Sequence, residues 1–328
     1  MVTDDGEPMF LYSPAYTEGS PLFEDYVELT PEIVEARVHE QLKEAGLEPE
    51  ATLREMRRYP AIISGSTAIP VLTGATFEPN DLDIYSCPPF EKKMFRLVTE
   101  DFGFSAYKET SETEKYRGMD GISRVHWLRK GSKVINLIIV PGDNPITAIF
   151  HFHTTLVMNY ISGYGVFCAY PELTLARLAT TNTSVVVSET QRRRIGDCID
   201  KYSARGFEVR DRLSDFVDHN PHLCGTDPLC PATIRSLHDS SSLFIPFPGF
   251  NAPGVRAPVF DGETSVIWSL GGTECMIEGT YNRVFAASVP IFDKRREQTK
   301  KEVNNMWWFD EVLMRRAPEV EPQSPTSP

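Results

Sequence analysis

The sequence predicts an α+β fold: a mixed sheet flanked by helices, continued by a helical and irregular C-terminal extension. Three observations carry this. Capped helical patterns alternate with short apolar strands between residues 30 and 140. The turn Lys130-Gly131-Ser132 joins two strand-like runs into a hairpin. From Leu243 to Val289, short apolar runs are broken by Gly and Pro, a pattern of short strands or irregular chain.

The elements follow in order. Residues 1–28 mix Pro, Ser, Gly and acids with scattered Phe and Tyr, and predict a mostly irregular arm. The span 29–57 holds two N-terminal helices. Thr30-Pro31-Glu32 opens the first with an N-cap, a first-turn proline and an acid that suits the dipole. Gly46 caps its end after Ala45, and a second helix covers Ala51 to Arg58. The span 58–145 is the expected core. It reads as a strand at Ile62-Ile63, a short helix from Thr67 to Leu72, a strand from Asp81 to Tyr85 and a helix from Glu91 to Asp101 ended by Gly103. Strands at Ser105–Lys108, Ile122–Arg129 and Lys133–Val140 complete it.

The span 146–290 is expected to be a helical region and a mixed C-terminal lobe. Pro145 to Ser162 reads as one helix with Ile149, Phe152, Leu156 and Met158 on a broad apolar face. Leu173 to Ala179 also reads as helical, and Val185 to Cys198 contains another helix. Residues 291–316 predict a long terminal helix. The tail 317–328 is too polar and Pro-rich to bury apolar surface and should be disordered.

The 328 residues suffice for one large domain or two ordinary ones. No apolar run reaches membrane-spanning length, and the start MVTDDGEPMF has no basic and apolar leader. A soluble protein of the cytoplasm or nucleus, not secreted and not membrane-bound, is the expectation. Six dispersed cysteines then read as reduced thiols. A net charge of −13 disfavours general nucleic-acid binding, which needs a basic surface to release counterions. The basic runs at Arg192–Arg194 and Lys294–Arg296 read as solvated helix faces.

One stretch carries chemistry. Asp81 and Asp83 are two apart in a strand and so share a face, while Leu82 and Ile84 point into the core. Two like charges so close repel unless a cation lies between them. A divalent ion with oxygen ligands, such as Mg²⁺, relieves that repulsion. Gly65 lets backbone approach a phosphate, and Ser66 supplies a hydroxyl at a helix start rich in N–H donors. These parts together suit a triphosphate–metal complex.

Gly65-Ser66, fourteen residues, then Asp81-Leu82-Asp83-Ile84 resembles the signature of the nucleotidyltransferase superfamily with the DNA polymerase beta-like fold. The resemblance covers residues 58 to 141. It implies a nucleotidyltransferase-like sheet, Mg²⁺ on Asp81 and Asp83, and a nucleoside triphosphate at Gly65 and Ser66. The acceptor would be a small molecule or a protein. The resemblance also implies a third carboxylate on a later strand. That strand here reads Val134-Ile135-Asn136-Leu137-Ile138, and Asn136 stands at the acid's place. An amide is a poor base and adds no charge, so transfer is expected to be weakened or lost. Asp120 and Asp143 are the nearest replacement acids in sequence. The alternative is an inactive scaffold or protein-interaction module. The chain also resembles a group of fungal proteins built around GST…DLDIY and a later FHTT-x-VMN segment.

Other clusters are weaker. His219, His222, Cys224 and Cys230 could offer zinc ligands, but the spacing H-x2-H-x-C-x5-C matches no standard zinc pattern. A proline-rich loop is the expectation there, without zinc. His151 and His153 on a helix would diverge by about 200° and could not share an ion. His153 could line a cleft beside the Asp81 strand.

Overall fold

A computed structural model of the chain describes residues 29–111, 121–182, 189–210, 225–250, 264–271 and 284–290. All fall in the unit Met1–Pro290. The expected arm at 1–28, terminal helix at 291–316 and tail at 317–328 lie outside the described residues.

Two helices open the chain. α1, Pro31–Glu44, begins where Thr30 Oγ1 accepts the Ile33 N–H at 3.3 Å. α2, Pro49–Arg58, starts two residues earlier than expected. Its first position is a proline, and the Glu48 carboxylate accepts the Glu50 and Ala51 N–H groups. β1, Ala61–Ser64, leads into a 3-10 turn over Gly65–Thr67 and the short helix α3, Ala68–Thr73. Gly74, at φ 66, ends α3 in the left-handed conformation. β2 is Leu82–Ser86. α4, Glu91–Arg96, runs on as a π turn to Asp101. β3 is Ser105–Ser111, β4 Arg124–Lys130 and β5 Lys133–Ile139. The β4–β5 hairpin closes on Gly131-Ser132, since Lys130 pairs with Lys133.

The expected helix from 145 to 162 does not form. Two 3-10 turns, Pro145–His151 and Thr155–Val157, precede β6, Asn159–Ile161. Each turn is capped, by Asn144 Oδ1 on the Ile146 N–H and by Thr154 Oγ1 on the Leu156 N–H. Distant partners take the carbonyls that a helix would satisfy internally. Asn182 Nδ2 donates to the Phe150 and Phe152 carbonyls, the Asn182 N–H to that of His153, and Ser64 Oγ to that of Val157. β7, Gly165–Cys168, follows. The expected helix at 173–179 is shorter and earlier: α5 is Pro171–Leu175. Arg177 then takes φ 56, and β8, Leu178–Thr180, departs as a strand. α6 is Glu189–Ser203, and β9 Glu208–Arg210 pairs parallel with β8.

The late segments form β10, Arg235–Ser236, β11, Leu243–Pro246, β12, Thr264–Ser269, and β13, Phe285–Pro290. The main sheet has eight strands in the order β11-β7-β6-β1-β2-β5-β4-β3. It therefore continues past residue 145 and takes three strands from the region expected to be a separate lobe. Every pairing in it is antiparallel except β2 with β5, so the sheet is mixed.

The strand alternation divides two cores. Leu82, Ile84, Ile135, Leu137 and Ile139 pack with Val34, Val38 and Leu42 of α1 and Met94 of α4. On the other face Tyr85 and Ile138 pack with Phe150, Tyr160, Tyr202 and Trp268. Phe150 and Trp268 stack with centroids 3.9 Å apart, which fixes β12 over the 145–151 turn. Asp83 and Asn136 alternate with the first set and so lie on the second face.

Candidate functional site

Parallel pairing of β2 with β5 sets Asp83 directly against Asn136. Asp81 stands just before the strand. The Asn136 amide joins all three groups: Nδ2 donates to Asp81 Oδ2 at 2.9 Å and to Asp83 Oδ1 at 2.8 Å. Both hydrogens of the amide are thereby used, one on each carboxylate. Asn136 is 2 % exposed, and its Oδ1 is buried with no hydrogen-bond partner. The orientation follows from charge, because turning Oδ1 toward two carboxylates would be repulsive.

The turn expected to cradle phosphate comes to the same place. β1 pairs antiparallel with β2, with Ser64 opposite Asp83. Gly65 follows at φ 75, and a Cβ there would lie 3.2 Å from Asp83 Oδ2. Only glycine holds that conformation without strain while leaving the carboxylate its room. Ser66 is buried in the 3-10 turn, and the neighbouring Thr67 hydroxyl is buried without a hydrogen-bond partner. Gly65, Ser66, Asp81, Asp83 and Asn136 are thus brought together. A cleft of ≈ 280 Å³ lies beside Asp81. Its charged lining is Glu44, Glu78, Asp81 and Lys133, so acids outnumber bases.

Of the two nearest replacement acids, only Asp143 is described, and it does not join the pair. Asp120 lies outside the described residues. Asp143 acts on Cys87, beyond the opposite end of β2 from Asp81. Burial first and Asp143 second push the Cys87 thiol up to about 12, so it is inert as a nucleophile at neutral pH. Of the zinc candidates, His219, His222 and Cys224 lie outside the described residues. Cys230 is buried, with its sulfur accepting the Ala232 N–H at 3.4 Å. Among the described residues no three His, Cys, Asp or Glu side chains group as a metal site.

The helix expected within Val185 to Cys198 is α6, Glu189–Ser203, but sequence reasoning did not mark its C-terminal end as part of the site. Tyr202, 3 % exposed, has its hydroxyl's pKa pushed up by burial and by Cys198; Arg205 opposes this, while the Asp83 and Asp81 carboxylates add to it. The phenol therefore lies within electrostatic reach of the pair. Lys201 Nζ sits 4.6 Å from the Tyr202 ring centre, and the Arg205 guanidinium stands 4.1 Å over the Phe77 ring. Phe77 belongs to the loop that delivers Asp81, and it also meets Phe207 edge-on. The end of α6 thus holds that loop. Nothing in the spacing of Lys201, Tyr202 and Arg205 marks them, since any solvated helix carries such residues.

His153 is drawn toward the same helix. Its Nε2 is buried without a partner. Burial, and then the Lys201 charge, lower the imidazole to about 4, so it is neutral at physiological pH. It sits on a bend between two 3-10 turns, so the helical divergence expected for His151 and His153 does not arise.

Could these residues hold the ion that the resemblance implies? Two carboxylates on one face are oxygen ligands of the right kind for Mg²⁺. The third group presents nitrogen, which has hydrogens and no free lone pair to offer a metal. The oxygen that could ligate is the one buried without a partner. The donor set therefore fits a divalent ion only when the Asn136 amide turns over. No described helix is long and apolar enough to cross a membrane. Comparison of the chain with family models, curated proteins and solved structures gives no match.

Proposed function

We propose that the chain is a nucleotidyltransferase-like protein that binds a nucleoside triphosphate through Gly65, Ser66, Asp81 and Asp83. In this reading Mg²⁺-dependent transfer to a small molecule or protein is weakened or lost because Asn136 stands in the third acid's place. The observation that carries the reading is the convergence of two distant motifs. The Gly65 turn lies against Asp83, with only 3.2 Å for a Cβ to occupy, and Asn136 is Asp83's register partner on the next strand. A Gly-Ser turn and two acids in a solvent-facing loop would have no reason to meet in this way.

The chemistry divides among these residues. Asp81 and Asp83 supply the negative charge that a metal–phosphate complex needs. Gly65 supplies close backbone approach. Asp81 and Asp83 would hold the Mg²⁺, whose positive charge would offset the negative charge of a bound phosphate. Asn136 cannot take a proton from an attacking hydroxyl, which is why transfer would be slow.

Titration calorimetry of ATP, GTP, CTP and UTP, with Mg²⁺ and then with chelator, tests this. Metal-dependent binding of at least one nucleotide is expected, and Asp83→Asn should abolish it. Unchanged binding in Asp83→Asn would falsify the site assignment. A second reading, an inactive scaffold, draws on the Asn136 amide holding both carboxylates without a metal. Absence of binding by all four nucleotides would favour it.

A further inference from the structure

We infer that Asn136 is an internal stand-in for the cation, and that a divalent ion enters the Asp81–Asp83 pair only by displacing its amide. The inference rests on the reading of the pair as a cation site. It adds how this chain's own residues manage that site.

Two carboxylates on one strand face need positive charge or donors between them. Asn136 Nδ2 occupies that position, 2.9 Å from one carboxylate and 2.8 Å from the other. A metal held by both acids would have to enter between them and the amide, pushing the amide nitrogen back from its present position. Rotation of the amide about its Cβ–Cγ bond exchanges Nδ2 for Oδ1 at nearly the same point. Oδ1 is at present buried without a partner, a state that costs free energy. The side chain therefore has two uses for one position. With Nδ2 forward it ties the acids together; with Oδ1 forward it completes a three-oxygen site from Asp81, Asp83 and Asn136. Binding an ion breaks two charge-assisted hydrogen bonds, so affinity for the free metal is low.

The test uses the full-length chain labelled with ¹³C and ¹⁵N, and MgCl₂ alone. The Asn136 side-chain amide signal is identified by its loss in Asn136→Asp, or in Asn136→Ser should the first variant fail to fold. Without metal, both amide protons should lie downfield and exchange slowly with solvent. As Mg²⁺ is added they should move upfield, because their carboxylate acceptors are taken. Calorimetry should give Asn136→Asp a roughly tenfold or greater gain in Mg²⁺ affinity, since it adds ligand charge and has no hydrogen bonds to break. The inference is overturned if the Asn136 amide stays put at Mg²⁺ concentrations that shift the carboxyl signals of Asp81 and Asp83. It is equally overturned if Asn136→Asp gains nothing, or if Mg²⁺ binds neither chain. Nucleotide calorimetry separates the two ideas. Nucleotide binding with an unmoved amide sinks this inference alone, and a moving amide without nucleotide binding sinks only the nucleotide reading.

Discussion

Acid should destabilise this chain through His153. Its Nε2 is buried and unpartnered, and burial, aided by Lys201, lowers the imidazole to about 4. In the unfolded chain the same group titrates at about 6.5. The folded value is the depressed one, so between these limits the unfolded state binds a proton that the folded state refuses. Stability is then complete above about pH 6.5, falls as the pH drops through that window, and levels off below the folded pKa. The slope reaches about 1.4 kcal/mol per pH unit, and the loss at pH 5 is ~2 kcal/mol. Urea unfolding at pH 7 and pH 5 measures it. His153→Phe removes the titrating group without stranding a partner, so the difference between the two pH values should shrink by ~2 kcal/mol. Lys201→Met should raise the His153 pKa only in part, because burial is the larger cause. A His153 ring proton that titrates near 6.5 by NMR, or an unchanged pH difference in His153→Phe, would refute the reasoning.

Two further outcomes are expected. Gly65→Ala must hold an L side chain at φ 75 with its Cβ 3.2 Å from Asp83 Oδ2. The left-handed backbone alone costs about 1–2 kcal/mol, and on the proposed function the displaced carboxylate should weaken nucleotide binding as well; wild-type urea curves would count against the tight turn. Arg235, 3 % exposed, donates to both oxygens of Asp239 and to the Ala169 carbonyl, and lies over the Tyr170 and Trp268 rings. Asp239→Asn leaves that guanidinium buried without its counter-charge and should cost ~3–5 kcal/mol by urea unfolding at pH 7. Burial pushes the Asp239 carboxyl up, but the Arg235 hydrogen bond and charge, with Ser236 and Ser242, outweigh it and hold the carboxyl below its usual range. This depressed group contributes stability above its unfolded pKa of about 3.9 and loses it as the pH falls through the folded value. Its effect therefore begins where that of His153 is nearly complete, and a wild-type profile without a further loss below about pH 4 would contradict it.

Much of the site was legible because its parts are local. The Asp81 and Asp83 alternation needs only the two-residue period of a strand, and Gly65 sits in a turn whose neighbours announce it. The match of Asn136 to the third position came from a resemblance, and its partner could not be read from periodicity. It lies 53 residues from Asp83, and a parallel pairing leaves no turn to mark it. The segment 145–162 misled for the opposite reason. Its apolar spacing suits a helix, but Ser64 and Asn182, far away in sequence, claim its carbonyls. Asn144 and Thr154, side chains of the kind that suit N-caps, cap the two short turns that replace one helix and are the signal that sequence reasoning overlooked.

The sequence by itself determined the capped helices α1 and α2, the turn–helix after β1, the acid-bearing strand and the β4–β5 hairpin. Caps, turns and alternation act over a few residues and need no distant partner. Only the tertiary structure decided that β6, β7 and β11 extend the sheet, that α6 brings Tyr202 toward the carboxylates, and that Asn136 closes on both acids. Those outcomes depend on which backbone groups and faces find each other across the whole chain. Each sequence window limits its choices, and the packing of the eight-stranded sheet selects among them.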